Sequence, residues 1–193
     1  YIFLNVDLKG LAFGGSSCSN LSYIGQKSFD AGILSGKLSH LCSENGDEFL
    51  IVMTRKNIHD YEAINERVNG FKSYFQDNVA DAHIHQLKFD QSDRFEKVKK
   101  KINTFLTKNQ RVKVIMVPSS RVSYICNAIE KNHLLRLKII GFDTTPQNVE
   151  ALEKRIVSFL ISQKSFNQGY KSIITIANYL VYKEMPTNEI PTP

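Results

Sequence analysis

The chain has 193 residues, 42% of them hydrophobic and 23% charged, with a formal net charge of +6. This balance suits one large domain or two small lobes and is that of an ordinary globular protein, so disorder is not the default expectation. No apolar run approaches the roughly 18 residues of a membrane span, and the basic-then-apolar order of a signal peptide is missing, so a soluble chain with no membrane contact is expected.

Taken in order, Tyr1 to Val6 is a short apolar run that reads as a buried strand, followed by a loop rich in Gly and Ser up to Asn20. Tyr23 and Ile24 make a brief strand. Phe29, Ile33, Leu34, Leu38 and Leu41 then recur at helical spacing until Asn45 and Gly46. Phe49 to Met53 reads as a buried strand with a polar loop, Thr54 to His59, at its carboxyl end. The helix after it is the cleanest of the chain, because Tyr61, Ile64, Val68, Phe71 and Phe75 lie on one face, with Arg67 beside that stripe.

His83 to Phe89 is the next predicted strand. Asp93 to Leu106 is a helix whose basic run, Lys97 and Lys99 to Lys101, lies opposite Phe95, Val98, Ile102 and Phe105. A solvated helix face accounts for that run better than a nucleic-acid contact does. Val112 to Val117 is an apolar strand stopped by Pro118, with Ser119 or Ser120 placed to cap the helix carrying Val122, Ile125 and Ile129. Leu137 to Ile140 runs as a strand into Gly141, Phe142 and Asp143. A polar helix, the strand Val157 to Ile161, the residues Ser162 and Gln163, and a helix opening near Phe166 follow. That last helix is expected to bury Phe166, Tyr170, Ile173, Ile174, Ala177 and Val181. The tail from Pro186 to Pro193 reads as a linker.

Strands of about five residues alternating with helices predict an α/β fold, a parallel sheet with helices on both faces. In such sheets ligands bind outside the carboxyl ends of the strands. The residues to test are therefore Asn5, Asp7, Gln26, Thr54, Arg55, Asp90, Ser119, Ser120, Asp143 and Gln163. Most are neutral hydrogen-bonding groups with a few charges, a mixture that suits a ligand rich in hydroxyls and suits catalysis poorly. Taken singly, each is more often a turn or cap residue than a ligand contact.

Enzyme motifs are missing where they would be expected. No GxGxxG, Walker or GxSxG sequence follows a strand. His83 and His85 share one side of a strand but have no third metal ligand near in sequence. Three cysteines, Cys18, Cys42 and Cys126, are odd in number and lack metal-ligand spacing, which argues against a disulfide framework and favours a reducing compartment. No catalytic residue, cofactor or metal is expected.

Gly141, Phe142 and Asp143 after an apolar strand, Gln163 with Gly169 six residues on, and Arg67 with Gly70 and Phe71 together resemble the effector-binding domain of LacI/GalR-type transcriptional regulators. That family shares the type I periplasmic sugar-binding fold. Tyr23 to Leu41 is similar to its first helix past the hinge. The resemblance implies a hinged, two-lobed domain that binds a sugar or related small molecule, with one complete lobe here and part of the other. It implies residues 1–25 as a remnant of the first lobe with the first crossover, 26–161 as the second lobe, 162–185 as the return crossover and a first-lobe helix, and 186–193 as a linker.

By position, the resemblance assigns ligand contacts to Asn5, Arg67, Asp143 and Gln163, and to Ser119 and Ser120 where many members carry Asn and Asp. Lys27 stands where an aspartate is common. A regulator of this kind is cytoplasmic and dimeric and reaches operator DNA through a separate N-terminal helix-turn-helix domain, which is not in this chain. A sugar-binding protein of a transport or sensor system with the same fold is the alternative, and a sugar-processing enzyme ranks last. Apolar surface on Tyr1 to Val6 and on the Phe166 helix is expected to be exposed here and covered by dimer contacts.

Overall fold

A computed structural model describes residues 2–4, 12–13, 16–17, 21–54, 62–90 and 93–192. Its elements in chain order are β1 (Ile2–Leu4), β2 (Ala12–Phe13), β3 (Ser16–Ser17), β4 (Ser22–Gln26), α1 (Ser28–Leu41), β5 (Glu48–Met53), α2 (Glu62–Asn78), β6 (Ile84–Lys88) and α3 (Phe95–Lys108). They continue with β7 (Val112–Met116), α4 (Val122–Ala128), α5 (Lys131–Leu134), β8 (Lys138–Phe142), α6 (Pro146–Glu153), β9 (Phe159–Ile161), α7 (Ser165–Tyr182) and β10 (Glu189–Thr192). Five strands form a parallel sheet in the order β6-β5-β7-β8-β9. A second parallel sheet has the order β1-β4-β10, and β2 pairs with β3 in a short antiparallel ladder.

The larger sheet is covered on both faces, as the alternation of strands and helices predicts. Period-two alternation sends Leu50, Val52, Ile115, Val117 and Ile139 into one core with Val98, Ile102, Leu106, Val122 and Ile125 of α3 and α4. Ile51, Met53, Val114, Met116, Ile140 and Phe142 enter the other core with Ala31, Val68, Phe71 and Phe75 of α1 and α2. Because α2 and α3 lie on opposite faces, the winding reverses between β5 and β7. That switch point opens a crevice at the carboxyl ends of these strands.

Helix α1 packs through a face that its large side chains do not reveal. Phe29, Leu34 and Leu41 are exposed, while Ala31, Gly32, Ser35, Gly36 and Ser39 are buried. A Cβ on Gly32 would stand 2.2 Å from the Arg67 carbonyl oxygen, and one on Gly70 would stand 2.1 Å from that of Phe29, so the two backbones meet where only glycine fits. Of the apolar residues spaced along α1, Phe29, Leu34 and Leu41 thus mark its outer side, while Leu38 packs against the core.

Three further expectations are corrected. Helix α7 exposes Phe166, Tyr170, Ile173, Ile174, Ala177 and Val181 and buries only Gln168, since it meets the described chain chiefly along β1 and β4. The tail is not wholly a linker, because Glu189–Thr192 pairs with β4. Pro191 is tolerated there because β10 is an edge strand among the described residues, with ladder bonds on one side alone. Neither Ser119 nor Ser120 caps α4, whose N-cap is Arg121. His83 precedes β6, and His85 pairs with Glu48 at 2.6 Å. Burial pushes the Cys126 thiol up to about 12, which leaves it an inert core residue.

Candidate ligand-binding site

Groups at the carboxyl ends of β4, β7 and β8 meet at Arg67. This side chain rises from the early turns of α2, held there by the glycine contacts with α1, and is only 4% exposed. Its Nη1 donates to the Pro118 carbonyl oxygen at 2.9 Å, just past β7. Its guanidinium lies over the Phe142 ring at the end of β8, 4.4 Å from the centroid. Its Nη2 reaches the Gln26 Oε1 at the end of β4 at 3.5 Å, a contact at the long limit of hydrogen bonding. Burial lowers its pKa from the ordinary value, and the nearby Asp143 and Tyr23 oppose that shift. A planar guanidinium keeps its charge under such conditions.

Asp143 follows β8 with φ at +69°, in the left-handed region that Asp adopts more readily than most residues. Its N–H donates to Ile161 at 3.0 Å, and its carbonyl oxygen accepts from Asn148 Nδ2 at 3.0 Å. Its Oδ1 accepts a hydrogen bond from Gln163 Nε2. That bond turns the Gln163 amide so that Nε2 meets the carboxylate, which leaves its buried Oε1 unpartnered.

Gln163 Oε1 has company. Thr54 Oγ1 past β5, Arg67 Nε and Ser119 Oγ past β7 are also buried without a hydrogen-bond partner among the described residues. Each such group costs about 1–3 kcal/mol unless a ligand or water completes it. They comprise one fixed donor, one fixed acceptor and two hydroxyls of either kind, of which the Gln163 amide contacts the Asp143 carboxylate. A cavity of about 400 Å3 opens next to this cluster, shares Gln26 with it, and is walled by Tyr23, Lys27, Phe29, Glu62 and Glu66.

Of the residues expected at the site, Arg67, Ser119, Asp143 and Gln163 belong to this cluster. Ser120 is exposed and joins it through its backbone carbonyl, which accepts from Asn148 at 3.0 Å. Asn5 lies outside the described residues, as do Asp7 and Arg55. Thr54 and Gln26 answer to the strand-end rule. Asn148 does not, and no feature of its local sequence, an amide in a polar helix, distinguishes it from a solvent-facing residue. Among the described residues no cluster of His, Cys, Asp or Glu could hold a metal ion.

A known family accounts for this arrangement. Residues 2–184 match the model of the periplasmic binding protein domain. The fold is similar to a candidate LacI transcriptional regulator from Bacteroides fragilis, at 22% identity and TM-score 0.86, covering 100% of this chain and 64% of that one. It is also similar to a periplasmic ribose ABC transporter protein from Conexibacter woesei, at 17% identity and TM-score 0.80, covering 100% and 62%. A third likeness is to GanP, a glucose-galactose binding protein from Geobacillus stearothermophilus, at 20% identity and TM-score 0.74, covering 100% and 65%. The chain thus spans less than two thirds of the length of these proteins. No curated protein matches it in sequence. The match over residues 2–184, on a parallel α/β fold with its polar cluster at the carboxyl ends of the strands, shows that the chain belongs to the periplasmic binding protein domain family.

Proposed function

We propose that this chain is the ligand-sensing domain of a LacI-type transcriptional regulator and takes a sugar or related small molecule at the Arg67 cluster. The observation that carries the ligand assignment is that, of the five buried, unpartnered side-chain polar atoms among the described residues, four belong to Thr54, Arg67, Ser119 and Gln163 toward the carboxyl ends of the strands, the fifth being Ser39 Oγ on α1. Vicinal hydroxyls both donate and accept, so one sugar ring can complete all four while its C–H face lies on an apolar wall. Supporting the sugar reading are the ribose and glucose-galactose binding proteins of similar fold, and supporting the regulator reading is the similar fold of the LacI candidate.

In this reading residues 26–161 form the second lobe, and the segments on either side belong to the first, with β10 joining its sheet. Ligand bound between the lobes favours the closed state by its differential affinity and shifts a dimer between DNA-binding and free populations. Operator contact belongs to a separate domain, the protein is cytoplasmic, and no bond is made or broken.

Calorimetric titration of the protein with D-ribose, D-glucose, D-galactose, L-arabinose and D-xylose tests the ligand, followed by Arg67→Ala and Asp143→Ala. Affinity unchanged in both variants sinks the site. The second reading, a binding protein of a transport or sensor system, is favoured by the transport-related folds. A mobility-shift assay of the full-length protein on its own upstream DNA separates the two, because only the regulator releases or gains DNA on adding the sugar.

A further inference from the structure

Asn148 is fully buried in the first turn of α6, yet its side chain serves neither core in which it sits. Its Nδ2 donates to Ser120 O at 3.0 Å, Phe142 O at 3.1 Å and Asp143 O at 3.0 Å. Its Oδ1 accepts from Ser123 N at 3.2 Å and so supplies the first turn of α4 with the capping acceptor that its own N-cap lacks. One amide therefore ties the loop after β7 to the loop after β8. Its own backbone is fixed in turn, because Thr145 caps α6 through the Asn148 N–H.

We propose that Asn148 is the positioning residue of the ligand site: it holds Asp143 in its left-handed conformation and sets the Ser119 loop at a fixed distance from it. A left-handed φ at a non-glycine residue is unfavourable and persists where neighbours enforce it. The Asp143 carbonyl oxygen is held by Asn148, and its N–H by Ile161. Releasing the first lets the carboxylate swing from Gln163, and losing the bonds to Ser120 and Ser123 lets the Ser119 loop move relative to Asp143. The inference rests on the ligand reading above for its consequence in affinity, though not for the clamp itself.

The test therefore has two arms on the intact protein, using Asn148→Ala and the milder Asn148→Ser. Without ligand, amide hydrogen exchange should quicken at Asp143 and from Ser119 to Ser123 while Val114–Met116 and Ile139–Gly141 stay protected. Exchange that is unchanged at the loops, or quickened evenly through the sheet, overturns the clamp. With whichever of the five sugars the wild type binds, the Asn148 variants should weaken affinity by about tenfold, whereas adding Asn148→Ala to Asp143→Ala should cost less than about twofold more. Fully additive losses overturn the role in positioning Asp143. Failure of the wild type to bind any of the sugars defeats the sugar reading alone, and the exchange arm still decides the clamp.

Discussion

At the carboxyl ends of β5, β7 and β9 the side-chain atoms Thr54 Oγ1, Ser119 Oγ and Gln163 Oε1 are buried and short of partners, with Arg67 Nε a fourth, whereas toward the amino ends of the same sheet Ser39 Oγ on α1 is the one such atom among the described residues. Glu48, opening β5, pairs with His85. Arg136 donates to Leu106, Gln110 and Val112 and so closes the turn into β7. The amino end also has a cavity, about 310 Å3 among His40, Asp47, Asp81, His83 and Arg111. Asp81 even shares the left-handed φ of Asp143. Neither cavity volume nor backbone strain distinguishes the ends, then. The number of unsatisfied atoms does, four at the carboxyl end against Ser39 Oγ alone toward the amino end among the described residues, because buried polar atoms without partners persist where a ligand or water completes them.

The largest effect that would break this comparison is on Arg67. Arg67→Ala removes the donor set, the stack on Phe142 and the tie to Pro118, and should weaken sugar binding by about 3 kcal/mol, roughly a hundredfold, in calorimetry. Arg67→Lys keeps the charge without the planar fork and should still lose about tenfold. A wild-type affinity in Arg67→Lys would mean that charge alone matters there.

Next comes the packing that places Arg67. Gly32→Ala drives a Cβ against the Arg67 carbonyl oxygen, and since that atom is backbone the helices must part. Urea denaturation should show a loss of about 1–3 kcal/mol. Sugar affinity should fall with it, because α2 carries Arg67. Gly46→Ala, where φ is +86° and no atom lies within 4 Å, should destabilise through backbone strain alone without touching affinity.

The third effect belongs to the amino end and sharpens the contrast. His133 is buried between Thr107 and Arg136, and burial, then Arg136, hold its pKa below the usual 6.5, with Glu130 opposing. The unfolded chain therefore binds a proton before the folded one does. The stability from neutral His133 is fully present above pH 6.5 and is lost as the pH falls from there through the lower folded value. Thermal melts from pH 7.5 to 5 should show this loss, and His133→Gln should flatten it without altering sugar affinity at pH 7.5. A slope unchanged in the variant would assign it to other groups.

How much of this is legible in the sequence differs by element. The order of strands and helices in the larger sheet follows from short apolar runs alternating with helical spacing, and Asp143 and Gln163 follow from the rule of strand ends. Phe29, Leu34 and Leu41 mislead, because α1 approaches α2 through glycines that carry no hydrophobic signal. On α7 the apolar spacing is genuine, but spacing does not tell what covers a face. Pro191 hides β10, since proline argues against a strand unless the strand is known to be an edge. Asn148 is invisible because its worth depends on two loops, 25 to 28 residues earlier and five to six residues earlier, that only the fold brings together.

The smallest effects are expected where the amino-end cavity is altered, and there they are informative. His83 and Arg111 are exposed, and the one bond Arg111 gives to β5 is through its backbone carbonyl, which accepts from Glu48 N at 2.8 Å and survives any side chain. His83→Ala and Arg111→Ala should each stay within about 0.5 kcal/mol of wild-type stability and about twofold of its sugar affinity. Double substitution should do no more, because neither side chain completes a buried group. A fivefold or greater loss of affinity in calorimetry would make the amino end part of the ligand response. The distinction drawn from hydrogen-bond satisfaction would then fail at the end where it predicts silence.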